Sequence, residues 1–465
     1  MIFQILDQLF QNISILLGGM EVDQIRLAVS LIMTIPFGLI FYFIRGFFIR
    51  HLIGSALGIF LQYLVYQDGL IFLLFQTVFV YIIILIFQRK SALIVFSSSL
   101  FYLSLHHLYR QYNDYGGWKM DITTILMMTM CKYTSFAWCY QDGDQKLQDQ
   151  LSEDQKLRKI EKLPNFFEYF SYIHFFGSAI CGPTFDFHEY KIYMRTSSTK
   201  SISFPLKNSL NWLLQGLAFT FTIIFLLPKF PLKYVLTEEY NQSSMLFKFY
   251  YFNVCITLIR FRYYAGWSLS QAGLASTGIT YNTKTQQWDQ IISCKASHEL
   301  THDVRYKVEC WNTSVQIWLK KYVYLRVYPQ DQLKSNVNKS NIAQYITNMV
   351  SAFWHGFYPG YYLSFFQWSL VMNCSKLLFN ASKNKPEFFD KLEKTLTSPV
   401  YFAIRFCITH FSLNCFGIGF QLLSLYDNYA FYKTHYFSVL IVNLLVIAFF
   451  SATKWGQKSS KPKAQ

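Results

Sequence analysis

Charge is scarce in this chain. Only 15% of its 465 residues are Asp, Glu, Lys or Arg, while 52% are hydrophobic, which is far more apolar surface than a soluble domain has interior to bury. Acidic residues are the scarcer sign, 26 against 42 basic ones, for a formal net charge of +16. A surplus of that size fits nucleic acid only where the cations cluster. Here they are dispersed in short segments between apolar runs, the pattern of cytosolic loops under the positive-inside tendency and of attraction to anionic headgroups. Arg89 and Lys90, the loop carrying Lys191, Arg195, Lys200 and Lys207, and residues 305–334 therefore read as cytosolic, and no nucleic-acid partner is indicated. Paired cysteine spacing is missing as well. The nine cysteines contain no Cys-x-x-Cys, which argues against a disulfide framework and a zinc site. The first residues lack a basic n-region and a small-residue cleavage site, so no signal peptide is expected and the first spans would act as uncleaved insertion signals.

What the chain has in abundance is apolar runs long enough to cross a bilayer. The clearest are 70–87, 210–227 and 436–450. Weaker ones lie at 25–44, 52–66, 91–108, 122–140, 166–180, 246–259, 342–357, 361–379 and 401–423. Together they predict an all-α polytopic membrane protein with roughly eleven transmembrane helices, because short and Gly- or Pro-interrupted spans hide from hydropathy. The 47 Phe, 34 Tyr and 10 Trp are accounted for by interface belts and helix packing, so no single aromatic outside the motifs carries functional weight. No internal repeat is found. One integrated membrane domain is expected over 1–453, with a polar tail at 454–465. A polar insert at 141–162 has alternating charges that suit a short exposed helix or loop, and deletions there would be tolerated. Residues 280–341 hold Trp311, Val315, Trp318 and Tyr322 at helical spacing among cations, as expected of interfacial helices lying in the plane of the membrane surface.

His355 is the most informative residue. It lies in an apolar run, Ser351-Ala-Phe-Trp-His-Gly-Phe-Tyr-Pro-Gly360, and an ionisable side chain at such a place is a functional-site hypothesis by default. Pro359 and Gly360 are expected to stop its helix. Ser351, Asn348 and Gln344 recur at helical spacing on the face of His355, one polar stripe that would wall a wet central tunnel. The bland alternative is a hydrogen-bonded packing histidine.

A second segment accompanies it, Cys310-Trp-Asn-Thr-Ser-Val-Gln-Ile-Trp-Leu-Lys-Lys-Tyr-Val-Tyr-Leu-Arg326. Further pieces are Asp114-Tyr-Gly-Gly-Trp-Lys-Met-Asp121, Gly182-Pro-Thr-Phe-Asp-Phe-His-Glu-Tyr190, and Arg262-Tyr-Tyr-Ala-Gly-Trp267 with Thr277-Gly-Ile279. In this order, across roughly 110–365, they resemble the membrane-bound O-acyltransferase family, and in particular its lysophospholipid acyltransferase branch. Gln271 departs from that pattern, standing where an acidic residue is often found.

The resemblance implies that His355 and Asn312 form the catalytic pair. It also implies acyl transfer from a long-chain acyl-CoA, used as co-substrate with no further cofactor and no metal, to the free hydroxyl of a lysophospholipid. An acyl thioester is already activated, so the protein must deliver an alcohol, take its proton and stabilise the oxyanion. Imidazole, whose ordinary pKa lies near neutrality, suits the base. Asn312 would orient a substrate or donate to the oxyanion; its alternative is a helix-capping or interhelical amide. Trp311, Trp354, Ser351, Asn348 and Tyr358 are the candidates for substrate contact beside the pair. Arg305, Lys320, Lys321 and Arg326, with Lys307, are candidate cations for coenzyme A phosphates at the cytosolic mouth, or else a face turned to lipid headgroups. His410, in a span with Arg405, is a weaker candidate for the same cavity. Lys461 and Lys463 near the C-terminus have the spacing of a dilysine retrieval signal, which would place the protein in the endoplasmic reticulum membrane with its tail in the cytosol. Two other readings stay open on sequence: an O-acyltransferase with a neutral lipid alcohol or a protein as acceptor, and a transporter using the polar stripe as its pathway.

Overall fold

The computed structural model describes residues 2–16, 21–117, 119–195, 204–453 and 455. Trp118, Lys200 and the tail lysines Lys461 and Lys463 lie outside them. The described residues form helices throughout, with one isolated bridge between Asn282 and Gln287. In chain order the first are α1 (Ile2–Leu16), α2 (Val22–Phe43), α3 (Phe47–Tyr66), α4 (Leu70–Phe87), α5 (Ser91–Asn113) and α6 (Ile122–Asp142). Next come α7 (Glu153–Arg158), α8 (Phe166–Ile173), α9 (Phe187–Arg195), α10 (Leu206–Leu226), α11 (Glu238–Gln242) and α12 (Met245–Ser276). The region with the Trp-Asn segment contains α13 (Val304–Cys310), α14 (Thr313–Leu319), α15 (Leu325–Val327) and α16 (Gln330–Ser335). The chain closes with α17 (Val337–His355), α18 (Pro359–Asn384), α19 (Pro386–Leu396), α20 (Ser398–Leu422), α21 (Leu425–Thr434) and α22 (Ser438–Thr453).

Among the described residues four helical stretches are long and apolar enough to cross a membrane by length and composition, and the bent pair α21 and α22, at 77°, would make a fifth. One of the four, Phe47–Asn113, is broken by 3-10 turns at Gln67–Gly69 and Gln88–Lys90 into α3, α4 and α5. The polarity of α4 is that of a lipid-facing helix. It buries Gln76 and Thr77 while exposing Ile71, Phe72, Phe75, Phe79 and Ile86, the reverse of a soluble helix.

The described residues divide into two compact units. The first comprises residues up to Phe221 with Phe261–Lys295 and Asn312–Trp318; the second comprises Thr222–Arg260, Ala296–Trp311 and the residues from Leu319 on. In the first unit α6 packs on α5 and α4, and α3 packs on α2 and α8. Its interior holds a satisfied polar chain: His174 Nδ1 meets Gln62 Oε1 at 2.8 Å and its Nε2 meets Thr77 Oγ1 at 3.0 Å, which in turn lies 2.8 Å from the Tyr133 hydroxyl. His174 is thus a hydrogen-bonded packing histidine.

Two expectations are corrected in this unit. The apolar run 166–180 is not one spanning helix, because α8 ends after eight residues. Lys132 of α6 donates to the Tyr172 and Ile173 carbonyls at 3.1 and 3.0 Å, satisfying the end of the helix from outside. Gln62 and Tyr66 donate to the Ala179 and Ile180 carbonyls at 3.0 and 2.9 Å, so irregular backbone is tolerated in the interior. The polar insert holds the short exposed helix expected of it, but it is tied into the unit in a way that argues against deleting it. Its α7 begins with a Ser152–Gln155 capping box, and Arg158 is 4% exposed, paired with Asp186 at 3.0 Å and with Asp154. Arg89 closes the other end by donating to the Tyr140, Ile160 and Glu161 carbonyls. A deletion here would leave Asp186 without Arg158 and take away two of the carbonyls that hold Arg89. In the second unit α18 packs on α17, α20 and α22.

Candidate active site

His355 is the last residue of α17. Gly356 ends that helix: its φ of +119° suits glycine, and its N–H bonds back to the Phe353 carbonyl at 3.1 Å. Pro359 does not stop this helix but opens the next, sitting at the first position of α18 where its fixed φ helps and its missing N–H costs nothing. The half-buried imidazole is ringed by aromatics of its own unit. Phe365 stacks on it at 5.8 Å, Phe420 meets it edge-on at 4.8 Å, and Tyr361 and Trp354 lie 5.9 and 4.8 Å away. Rings on several sides fix the imidazole's direction and thin the water around it.

The cage is held by close helix contact. Gly360 N–H donates to the Leu423 carbonyl at 2.7 Å, and a Cβ at Gly360 would collide with the Gly419 carbonyl, so α18 and α20 touch backbone to backbone beside Tyr361 and Phe420. Asn348 does not stand open along a stripe. Its Nδ2 donates to Ser369 Oγ at 2.6 Å, and Ser369 donates to the Phe365 carbonyl at 2.8 Å, bracing the turn that carries Phe365. Ser351 is buried, as are Trp354 and Tyr358 at 3% and 9% exposure, and Tyr358 packs 5.6 Å from Tyr361.

Asn312, in the first unit, occupies a break. The helical spacing of Trp311, Val315, Trp318 and Tyr322 is realised in three pieces: α13, α14 and a π-helical turn at Lys320–Tyr324. Asn312 begins α14 as a cap: its carbonyl accepts from Gln316 N at 2.8 Å, and its Oδ1 faces Val315 N and Ser314 Oγ, both at 3.4 Å. Its Nδ2 makes no hydrogen bond among the described residues, which leaves two donors for a ligand.

Gln271, the departure from the family pattern, holds this turn. Fully buried on α12, it donates to the Ile291 carbonyl at 2.8 Å and accepts from Ser293 N at 2.8 Å, while the Ser293 carbonyl accepts from Thr313 N, also at 2.8 Å. An amide can donate and accept at once; an ionised carboxylate only accepts. Trp318 Nε1 pins the far end of α14 to Thr134 Oγ1 at 2.8 Å. Gln271→Glu is therefore expected to cost about 1–3 kcal/mol of stability by stranding the Ile291 carbonyl and to lower turnover more than it changes substrate affinity. Thermal unfolding together with kcat and KM on the purified variant checks both.

The sequence did not signal an ion cluster just upstream, in the second unit. Arg260 grips Glu299 with two bonds, Nε to Oε1 at 2.8 Å and Nη2 to Oε2 at 2.7 Å, and also donates to Asn414. Glu299 Oε2 meets His410 Nε2 at 3.2 Å; Lys307 donates to the His298 carbonyl at 2.7 Å and lies 3.4 Å from His410 Nδ1. Burial alone would raise the Glu299 carboxyl, but Arg260 and the His410 contact hold it well below the usual carboxylate range. Burial lowers the Lys307 ammonium to about 8. Lys307 and His410 thus serve this cluster rather than an open mouth. Trp311 N–H bonds to the Lys307 carbonyl at 3.1 Å and its ring meets His298 edge-on at 5.8 Å, so the cluster fixes the chain at the residue before Asn312. Arg260 in an apolar helical run calls for a buried carboxylate, but the sequence alone does not single out Glu299, since Asp303 and Glu309 lie nearer to Trp311. Of the remaining cations Arg305 is exposed and bonded to Glu309 at 3.1 Å, Lys320 is exposed, and Lys321 and Arg326 are half-buried on and after the π turn.

Residues 107–419 match the membrane-bound O-acyltransferase family, well over half of the chain. The chain belongs to that family. Among curated proteins it is 31% identical to the lysophospholipid acyltransferase of Schizosaccharomyces pombe, over 93% of this chain and 87% of that protein. It is 28% identical to lysophospholipid acyltransferase 2 of Arabidopsis thaliana, over 92% of this chain and 93% of that one. Lysophospholipid acyltransferase 1 of the same plant is likewise 28% identical, over 96% and 97%. The protein is accordingly a multi-pass membrane acyltransferase.

Proposed function

We propose that this protein moves a fatty acyl chain from a coenzyme A thioester to the free hydroxyl of a lysophospholipid, in the endoplasmic reticulum membrane, remodelling phospholipids. The observation that carries most weight is His355, an ionisable side chain held among Phe365, Phe420, Tyr361 and Trp354 at the end of α17. The names of the full-length relatives support the acceptor. The spacing of Lys461 and Lys463 supports the compartment.

In this proposal the imidazole takes the proton of the acceptor hydroxyl as its oxygen attacks the thioester carbonyl. The tetrahedral intermediate carries an oxyanion, and stabilising it by hydrogen bonds from Nδ2 is the role this proposal gives Asn312. The C–S bond breaks, the ester forms, and the coenzyme A thiolate leaves with the proton that His355 took. The thioester arrives from the cytosolic side and the lysolipid laterally from the bilayer or from the opposite side. Supplying microsomes that contain this chain with a mixed panel of lysophospholipids, diacylglycerol, sterol and acyl-CoAs, followed by lipid mass spectrometry, tests the acceptor. Diacyl phospholipids should be the product; sterol esters or triacylglycerol in their place would move the acceptor to a neutral alcohol.

The cations make a further prediction. Neutralising Lys320, Lys321 or Arg326 should raise the KM for acyl-CoA more than that for lysolipid, because clustered phosphates sit on the donor. Arg305, already bonded to Glu309, should matter least. The penalty should shrink as salt rises. Initial rates of single Ala variants against both substrates at two salt concentrations decide; equal effects on both substrates would assign these cations to lipid headgroups.

A further inference from the structure

Two of the segments that carry the family resemblance, 182–190 and 277–279, play no part in the chemistry above. Within the first unit they wall one cleft of about 470 Å3. Arg50, Thr277, Gly278 and Ile279 are its buried wall, and Lys284 stands exposed among its lining residues. Gly278 adopts φ +90°, and a Cβ there would press on the Tyr42 ring at 3.2 Å, so the turn and the tyrosine are fitted to each other. Tyr42 and Tyr193 supply flat walls, and α9 adds His188 and Glu189.

Arg50 sets the character of the cleft. It is 1% exposed, and its partners are neutral: the Ile44 carbonyl at 3.0 Å, the Tyr193 carbonyl at 3.5 Å, and the faces of Phe41 and Tyr193 at 4.9 and 4.5 Å. Its Nε has no partner, and no carboxylate pairs with it among the described residues. A guanidinium buried without a counter-charge is costly, and an anion brought beside it recovers part of that cost. Lys284 adds a second, exposed cation at the surface; among the charged lining residues Glu189 alone opposes them. Guanidinium and ammonium together with flat aromatic walls match phosphate attached to a ring or a chain.

We propose that this cleft binds a phosphate-bearing molecule, its phosphate drawn to Arg50 and Lys284 and its remainder laid against Tyr42 and Tyr193. The source of the phosphate is the nucleotide end of a thioester donor, a phospholipid headgroup, or free phosphate. Binding is read without turnover, so failure of this inference and failure of the acyl-transfer proposal are distinguishable.

The test uses the full-length protein in detergent and three probes: adenosine 3′,5′-bisphosphate, a short-chain phosphatidic acid and inorganic phosphate. Calorimetry gives each Kd, and amine-reactive labelling of Lys284 read by mass spectrometry reports occupancy of the cleft. The fitting probe should slow labelling of Lys284, and Lys284→Gln should weaken its binding about fivefold, an effect that fades with salt. Arg50→Gln should weaken it further, but Arg50 also binds two main-chain carbonyls, so the exposed Lys284 is the deciding position. Protection by the bisphosphate alone assigns a nucleotide site, by phosphatidic acid alone a headgroup site, and by all three alike a simple phosphate site. Lack of protection by any probe, or binding unchanged in Lys284→Gln, overturns the proposal.

Discussion

His355→Ala is expected to lower turnover by roughly a hundredfold or more, the usual consequence of deleting a general base, while the protein still inserts and folds. The imidazole is half-buried at a helix end among rings that also pack on one another, with Tyr361 on Phe420 at 4.3 Å and Phe365 on Phe416 at 5.5 Å. Removing it leaves that aromatic packing in place. Gel filtration and thermal unfolding in detergent should therefore match the parent protein while product formation collapses. Near-normal turnover in a folded variant would take His355 out of the mechanism.

Asn312 gives the second large effect and a cleaner separation of roles. Its Oδ1 caps α14, and its Nδ2 is the group available to a ligand. Asn312→Ala loses both and should be slow and less stable. Asn312→Asp keeps the capping oxygen, since Asp is as good an N-cap as Asn, but replaces the donors by a negative charge where negative charge develops. It should fold like the parent protein and still lose roughly a hundredfold or more in kcat. Full activity in Asn312→Asp would eliminate the hydrogen-bond-donor role, whatever Asn312→Ala does.

What the sequence made legible follows from which forces are local. The run 70–87 is a helix with those same bounds because a continuous apolar stretch flanked by polar residues needs no tertiary information. The helix that ends at His355 is legible for the same reason, but its terminator is not: Pro359 is a starter in the first turn of α18, and Gly356, with its positive φ, does the stopping. Hydropathy makes 166–180 a span because it cannot see that Lys132, Gln62 and Tyr66, distant in sequence, satisfy its carbonyls. The second half of α12 was missed for the converse reason. Ser268, Ser270 and Gln271 look too polar for a buried helix until their partners Gln215, Gly182 and Ile291 are known. His355 and Asn312 could be singled out from motif and chemistry. Arg260, Glu299 and Gln271, which set the chain around Trp311 and Asn312, act through contacts that join separate segments, so their roles emerged only in three dimensions.

The central claim, acyl transfer from a thioester to a lysophospholipid hydroxyl with His355 as base, is tested most directly by mass balance on the purified protein. Acyl-CoA labelled with carbon-13 in its acyl chain is mixed with an unlabelled lysophospholipid, and free thiol and labelled diacyl phospholipid are counted over time. The expected result is one thiol released for each labelled diacyl phospholipid formed, with both abolished together in His355→Ala. Thiol release without labelled phospholipid, or ester formation that persists in His355→Ala, would contradict it.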